Sequence, residues 1–185
     1  SGSTEVLRRM RRDYTAEEYM DLVSLIRDIV PDVELTTDVI VGFPGETEED
    51  FQKTLDLVEK VGYEKAYMFH YSEREHTAAK KQYADDVPEE VKLERLTRLI
   101  ALQTRISGER NRADHGREYD ILLEGPSRRS DKEWMGRTES GKVVVMPVPA
   151  ELQLDFLQAQ GRLARIVVES SSQATLRGRF VSFVQ

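Results

Sequence analysis

The residues whose types and spacing could best form a ligand site lie where an apolar run meets a glycine-rich turn, at residues 35–47. Asp38 is an acid inside a strand-like run, and an acid in a buried strand needs a partner or a ligand. Gly42 and Gly45 then allow a sharp turn before Thr47, whose capping-box spacing predicts the start of a helix. In parallel α/β proteins the carboxyl end of a strand is the ligand side of the sheet. The pattern predicts either a ligand site here or a tight turn without a ligand.

A second group of candidates lies near the carboxyl terminus, where basic residues surround the single tryptophan. Basic side chains with an interleaved aromatic on a small barrel can hold an RNA backbone and stack a base. An ordinary solvated face is the alternative interpretation. The candidate RNA-binding residues are Arg128, Arg129, Lys132, Trp134, Arg137, Lys142, Arg177 and Arg179.

Several kinds of site are excluded by the residues present. The chain has no cysteine, so it cannot itself provide thiolate ligands for a metal or an iron–sulfur cluster. His70, His76 and His115 have no metal-ligand spacing, and no Ser-His-Asp order, P-loop or GxGxxG motif occurs. The acidic runs 46–50 and 85–90 stand at predicted helix starts, where the helix dipole accounts for them. We therefore interpret these carboxylates as caps.

The spread of charge separates the two ends of the chain. Residues 1–115 hold 17 Lys and Arg against 25 Asp and Glu, while residues 116–185 hold 10 against 9. The net charge of -7 therefore belongs to the first part, and the second can still carry a local basic face. No apolar run reaches the roughly 20 residues that span a bilayer, and no signal peptide is evident, so we expect a cytoplasmic protein without a membrane segment.

The elements that position the first candidates follow a β/α pattern. Thr15 begins a predicted amphipathic helix that ends near Val30, and we expect its apolar stripe, which includes Leu22 and Val23, to belong to the core. A strand at residues 39–41, a helix closed by Gly62 and a second strand follow, which predicts parallel pairing with both faces of the first strand covered. A pair of strands is too few for such a sheet, so this part looks incomplete.

The remaining elements are a loop, a long helix and a barrel. Residues 72–87 are polar and predict a loop, and Pro88 opens a helix to about Gly108. From Gly116 about five short alternating runs occur in 70 residues, separated by Gly, Pro and Ser clusters. This spacing predicts a small antiparallel β-barrel.

The order of these motifs resembles the radical SAM methylthiotransferases. SGSTEVLRRMRRDYTAEEY, TTDVIVGFPGETEEDFQKTLDLV, MFHYSER and VPEEVKLERLTRLIALQ are similar to the family in unbroken order. LLEGPSRRSDKEWMGRTESGKVVVMP and TLRGRFV resemble the TRAM domain of the tRNA branch, the MiaB type. The resemblance implies the end of a truncated, TIM-like radical SAM (β/α) barrel at residues 1–112. It implies an OB-like TRAM barrel at residues 113–185.

The resemblance also implies which residues face S-adenosylmethionine. The chain departs from the family at Glu75 and His76, where Pro-Gly is usual before Thr77, and this leaves the local turn open. The residues carried over as cofactor-binding are Ser1, Gly2, Asp38, Ile40, Gly42, Phe69, Tyr71 and Arg74. No catalytic or metal-ligating residue of this chain is implied.

The reaction implied by the resemblance is methylthiolation of the isopentenylated adenosine beside the tRNA anticodon. The cofactors implied are S-adenosylmethionine, as radical source and methyl donor, and two 4Fe-4S clusters whose ligands lie outside this chain. The expected partner is tRNA through its anticodon stem-loop. The alternatives are a stand-alone RNA-binding module with a non-catalytic α/β scaffold, or a nucleotide-binding α/β protein unrelated to RNA.

Two expectations follow from the incomplete barrel. The chain alone should be inactive, because it cannot ligate a cluster. The uncovered edge of the first strand should pair with a second copy, giving a homodimer, or be covered by rearranged helices.

Overall fold

The computed structural model describes residues 1–149 and 156–184, with the backbone alone at Phe156, and it divides the chain into two compact units, Ser1–Ile106 and Ser107–Gln185. The domain boundary predicted at residue 112 stays a prediction. Among the described residues, no helix is both long enough and apolar enough to cross a membrane.

The first unit is a parallel strand pair with helices. Its elements are α1 (Thr4–Arg9), α2 (Ala16–Ile29), β1 (Thr36–Val41), α3 (Glu48–Val61), β2 (Lys65–His70), α4 (Ala78–Gln82) and α5 (Glu89–Ala113), the last of which runs past the unit boundary. β1 and β2 pair in parallel, with Val39 opposite Met68 and Val41 opposite His70. The predicted β/α order with parallel pairing is confirmed.

Local sequence signals set the helix ends in this unit. Thr15 and Thr47 each cap a helix through the reciprocal side-chain bonds of a capping box. Gly62 ends α3 in the left-handed region at φ 59°, which glycine adopts without a steric penalty. These three predicted ends are therefore confirmed, and they place the turn of residues 42–47 between β1 and α3.

The strand pair is buried on one face and open on the other. Val39 and Val41 lie in a core with Phe51 and Val58 of α3. The alternate residues of β1 are exposed, so the prediction that both faces of this strand are covered is wrong for the described residues. Because strand side chains alternate, a single layer of helices can bury only every second residue.

The apolar stripe of α2 is also only partly buried. Val23 lies in the core, whereas Leu22 is half exposed and Ile29 more so. The prediction that the whole stripe belongs to the core is therefore corrected for Leu22. The strand pair is narrow, so a helix packed against one side of it can bury only part of its apolar stripe.

The second unit is a closed five-stranded barrel. Its elements are β3 (Glu118–Ser127), β4 (Ser130–Thr138), β5 (Val143–Pro147), α6 (Phe156–Ala159), β6 (Leu163–Ser171) and β7 (Leu176–Phe183). The strand order is β3-β4-β5-β7-β6, and neighbours pair antiparallel except for the short parallel contact of β5 with β7. Inward residues such as Ile121, Val144 and Ile166 fill the interior. The predicted small barrel is confirmed, because closure leaves no strand without a neighbour.

Candidate cofactor-facing strand edge and candidate RNA surface

The turn after β1 is held by a buried ion pair. The backbone N–H of Gly42 donates to Glu46 Oε1 over 2.8 Å, and Arg95 Nη1 donates to the same carboxylate oxygen and to the Glu46 carbonyl at 3.0 Å. The side chains of both partners are almost fully buried. Burial raises the pKa of Glu46, while the Gly42 amide and the Arg95 charge oppose that rise. Glu46 therefore stabilises the turn through the Gly42 amide and Arg95, and its interpretation as a helix cap is corrected.

Gly42 has no room for a side chain. Its φ is 69°, and a Cβ atom there would lie 2.4 Å from Cγ of Lys92. Lys92 is itself buried and donates to Asp85 Oδ2 over 2.6 Å. The glycine therefore lets the α5 lysine pack directly against the turn.

Neither ion pair was identified from the sequence. Glu46 and Arg95 are 49 positions apart, and no local spacing links them. Asp85 was grouped with the helix caps, but its carboxylate binds Lys92 instead. A basic residue on the apolar side of the predicted long helix was the available signal, because a buried cation needs an anionic partner.

Three of the predicted cofactor residues share the open face of the strand pair. Asp38 and Ile40 are exposed on β1, and Phe69 is the parallel partner of Ile40 on β2. Tyr67, the partner of Asp38, lies on the same face and was not predicted. Ile40 is 39%, Tyr67 50% and Phe69 52% exposed. Apolar side chains around one carboxylate, beside the glycine turn, form a surface that an adenine-bearing cofactor can pack against.

Tyr71 continues this series but is buried. Its ring packs against Phe43, with the ring centroids 5.1 Å apart, and Nζ of Lys92 lies 5.5 Å from its centroid. The hydroxyl has no hydrogen-bond partner within the described chain. Burial, followed by the nearby Asp85 and Glu73 charges, raises the pKa of Tyr71. An unsatisfied buried hydroxyl beside the predicted site fits a ligand group that would complete it.

The other predicted cofactor residues lie outside the helices and strands. The N–H of Gly2 donates to Thr54 Oγ1 over 2.9 Å, and Ser1 Oγ lies 3.4 Å from the same atom. A Cβ on Gly2 would lie 2.2 Å from the carbonyl oxygen of Lys53, so this contact also requires glycine. Arg74 is exposed, and its carbonyl accepts from Thr77. Ser1 and Gly2 therefore contact α3, and Arg74 lies in the loop after β2.

The departure at Glu75–His76 has a clear backbone consequence. His76 adopts φ 66°, the left-handed region that favours glycine. It therefore occupies the conformation expected of the glycine that is usual at this position, with a side chain that is costly there.

The candidate RNA-binding residues fall into three groups. Arg128, Arg129 and Lys132 are exposed and make no side-chain hydrogen bond or ion pair with the described residues. Three further arginines are exposed but paired with carboxylates: Arg137 with Glu124, Arg177 with Glu133 and Arg179 with Glu169.

Two of the candidates are buried. Trp134 is 1% exposed and packs in the barrel interior against the rings of Phe180 and Phe183. Lys142 is buried with Asp114, its Nζ 2.6 Å from Oδ2. The predictions that Trp134 stacks a base and that Lys142 contacts phosphate are corrected, because strand alternation directs the tryptophan inward and the lysine neutralises a buried acid.

The described part of the chain offers no set of ligands for a metal cluster. The sequence has no cysteine, and no group of three His, Asp or Glu within the described ranges is arranged to hold a metal ion. Residues 1–149 and 156–184 therefore do not fit an iron–sulfur cluster.

Comparison with known proteins agrees with this division of features. Residues 1–58 match the sequence model of the Radical SAM superfamily, and residues 112–181 match that of the TRAM domain. The chain joins a radical SAM segment to a TRAM domain. The radical SAM segment and the TRAM domain that the resemblance implied are thereby confirmed.

The most similar curated relatives share one name, tRNA-2-methylthio-N(6)-dimethylallyladenosine synthase. The Porphyromonas gingivalis W83 protein is 45% identical over 181 residues, which cover 98% of this chain and 38% of the relative. The Bacteroides thetaiotaomicron protein is 46% identical with the same coverage, and the Acetivibrio thermocellus protein is 46% identical over 36% of its length. The chain thus spans a little over a third of the relatives that it matches.

Proposed function

We propose that the protein containing this chain is a radical SAM tRNA methylthiotransferase, which converts the dimethylallylated adenosine beside the tRNA anticodon into its 2-methylthio form. The observation that carries this proposal is the similarity, over 98% of the chain, to three proteins named tRNA-2-methylthio-N(6)-dimethylallyladenosine synthase. The family implies S-adenosylmethionine and iron–sulfur clusters. We propose that the complete protein holds two clusters. Activity on tRNA suits a cytoplasmic location.

In this proposal the first unit supplies one wall of the S-adenosylmethionine site. Ile40 and Phe69 would pack against the adenosyl group, and the glycine turn would let the backbone approach it. Asp38, Tyr71 and Arg74 would offer polar contacts, with Ser1 and Gly2 at the edge. S-adenosylmethionine, when bound, supplies the radical and the methyl group. The protein residues position it and exclude water.

The barrel unit would hold the tRNA. Arg128, Arg129 and Lys132 are unpaired within the described residues, and arginine and lysine are the side chains that neutralise RNA phosphates. We propose that they contact the anticodon stem-loop, with Arg137, Arg177 and Arg179 nearby. Such contacts set affinity rather than base specificity.

The test is deletion of the complete gene, followed by mass spectrometry of tRNA nucleosides. We expect the 2-methylthio nucleoside to disappear and its precursor without sulfur to accumulate. The complete gene should restore it, while a plasmid encoding only these 185 residues should not, because they hold no cluster ligand. Persistence of the modification in the deletion strain would contradict the proposed function and favour the stand-alone RNA-binding module. Restoration by the 185 residues would contradict only their proposed inactivity.

We also propose that the isolated chain pairs with a second copy through the uncovered strands. The support is the exposed row of Ile40, Tyr67 and Phe69 beside an unpaired strand edge. Analytical ultracentrifugation should show a dimer that Ile40→Lys dissociates and Leu157→Lys, at an 83% exposed position, does not. A wild-type chain that stays monomeric at all accessible concentrations would contradict this.

A further inference from the structure

The outer face of the barrel carries apolar side chains where a solvated face would carry polar ones. Val144 and Met146 fill the interior, so the alternate residues Val143 and Val145 of β5 face outward. Met135 of β4 is the register partner of Val145 and lies on the same outer face. All three outward side chains are half-buried. We call Met135, Val143 and Val145 the apolar floor.

A cavity of about 520 Å³ opens above the apolar floor. The end of β3 at Ser127 lines one side, and the segment 171–175 lines another. The hydroxyl of Ser172 accepts hydrogen bonds from the N–H groups of Ala174 and Thr175, which fixes this second wall. The volume lies within the range of about 300–1,000 Å³ that is typical of ligand sites.

The rim of the cavity is strongly basic. Arg128, Arg129, Arg137 and Arg177 line it, against one carboxylate, Glu133. Arg128 and Arg129 make no side-chain bond with the described residues, so their charges are free for a ligand. An excess of positive charge around the apolar floor favours a ligand that combines a flat apolar part with negative charge.

Arg177 has a position that suits stacking. It is the register partner of Val145 across the parallel contact of β5 with β7, and its guanidinium pairs with Glu133. The planar cation is thus held over the same face as the apolar floor. Arginine planes and apolar surfaces are the groups between which unpaired RNA bases insert.

We infer that this cavity binds one nucleotide of single-stranded RNA, with its base between the apolar floor and Arg177 and its phosphate at Arg128 and Arg129. The inference rests on the proposed RNA binding and adds to it a base-holding site. A base inside a duplex cannot offer its face to the floor, so the site prefers an unpaired loop nucleotide to a helical stem.

The decisive variant is Val145→Lys in the full 185-residue chain. If RNA bound only through phosphate contacts, an added lysine would strengthen binding. If a base enters the cavity, the lysine side chain occupies its place and weakens binding. The matched control is Val181→Lys, which adds the same charge at a 44% exposed position on β7 outside the cavity. Affinity is measured by fluorescence anisotropy with a labelled single-stranded RNA of about eight nucleotides.

We expect Val145→Lys to weaken RNA binding about tenfold, which is the loss of one stacked base. Val181→Lys should bind as the wild type does or slightly tighter. Equal affinities for the two variants would overturn the base site while leaving RNA binding intact. If the folded wild-type chain did not bind RNA, both this inference and the proposed RNA binding would fail.

A second measurement does not depend on the variant folding. The chain has five methionines, and Met135 lies in the floor whereas Met146 is fully buried in the barrel interior. In a methyl-labelled sample, the single-stranded RNA should shift the Met135 methyl signal and leave that of Met146 unchanged. An abasic oligonucleotide of the same length, or a duplex, should shift Met135 much less. An equal shift with the abasic strand would contradict base binding.

Discussion

The two units of this chain solve the problem of covering a β-sheet in different ways. The barrel unit closes five strands on themselves, so every strand has neighbours and one continuous interior is buried. The α/β unit has two parallel strands, which bury Val39 and Val41 on one face and expose Ile40 and Phe69 on the other. The closed unit can therefore use its outer surface for binding. The open unit presents a strand face as its candidate site.

The same difference decides how far each unit can be understood by itself. The barrel buries its apolar residues internally, and its exposed candidate RNA contacts lie in the turn after β3 and on outward positions of β4 and β7. The α/β unit keeps its glycine turn rigid through the buried pair of Glu46 and Arg95. A buried ion pair fixes geometry more than it adds stability, because both charges lose their hydration. Four substitutions test this comparison.

The largest effect is expected from Trp134→Ala, which empties the interior of the closed unit. Truncation of a fully buried aromatic should lower the free energy of unfolding by about 3–5 kcal/mol. Urea denaturation, with hydrogen exchange of barrel amides, measures the loss. Leu157→Ala, at a position 83% exposed, is the control and should change little. A loss below about 1 kcal/mol would mean that Trp134 is not a core residue.

The next effect is expected from Arg95→Met, which leaves the Glu46 carboxylate buried without its partner. Removal of one member of a buried pair costs about 3–5 kcal/mol. We expect the lower end, about 3 kcal/mol, because Glu46 can take up a proton. Arg98→Met is the control, because Arg98 pairs with Glu48 in a half-exposed position and should cost less than about 1 kcal/mol.

This variant also has a predicted pH dependence. Burial already raises the pKa of folded Glu46, and loss of the Arg95 charge raises it further. The folded state then keeps a proton that the unfolded chain releases near the usual glutamate pKa, so stability falls as the pH rises above that value. Denaturation midpoints at several pH values should show this decline in Arg95→Met and not in Arg95→Met combined with Glu46→Gln.

A smaller effect should separate the two faces of β1. Val41→Ala removes a fully buried side chain and should cost about 2 kcal/mol. Ile40→Ala, on the adjacent residue of the same strand, should change stability by less than about 0.5 kcal/mol. Thermal or urea unfolding of the two variants makes the comparison. Equal losses would show that the open face is covered in solution, as in the proposed dimer.

The smallest effect is expected at the loop after β2. His76→Gly removes a side chain from a left-handed backbone position and should stabilise the first unit by about 0.5–1 kcal/mol. The matched control is Gly62→Ala, which places a side chain at φ 59° and should destabilise by about 1 kcal/mol. Opposite signs for the two variants are the expected result of the unfolding measurements. Destabilisation by His76→Gly would show that the imidazole makes a contact worth more than the strain.

Local chemistry by itself determined most elements of this protein, although α4 (Ala78–Gln82) lies in the stretch 72–87 that was predicted to be a loop. The capping boxes at Thr15 and Thr47, the glycine cap at residue 62 and the alternating runs after Gly116 are short-range patterns, and the structure has each of them. Motif order was enough to identify the radical SAM segment and the TRAM domain. Such signals are readable because a helix cap or a strand period involves residues only a few positions apart.

Tertiary structure alone decided which candidate residues are exposed and which are buried. Trp134 and Arg137 are three positions apart, yet strand alternation buries the first and exposes the second. Glu46 meets Arg95, and Val145 meets both Met135 and Arg177, across separations that no local pattern encodes. Burial and pairing between distant segments depend on the packing of the whole unit. The sequence therefore predicted most of the elements and the kinds of residue, while the tertiary structure decided which candidate residues are exposed.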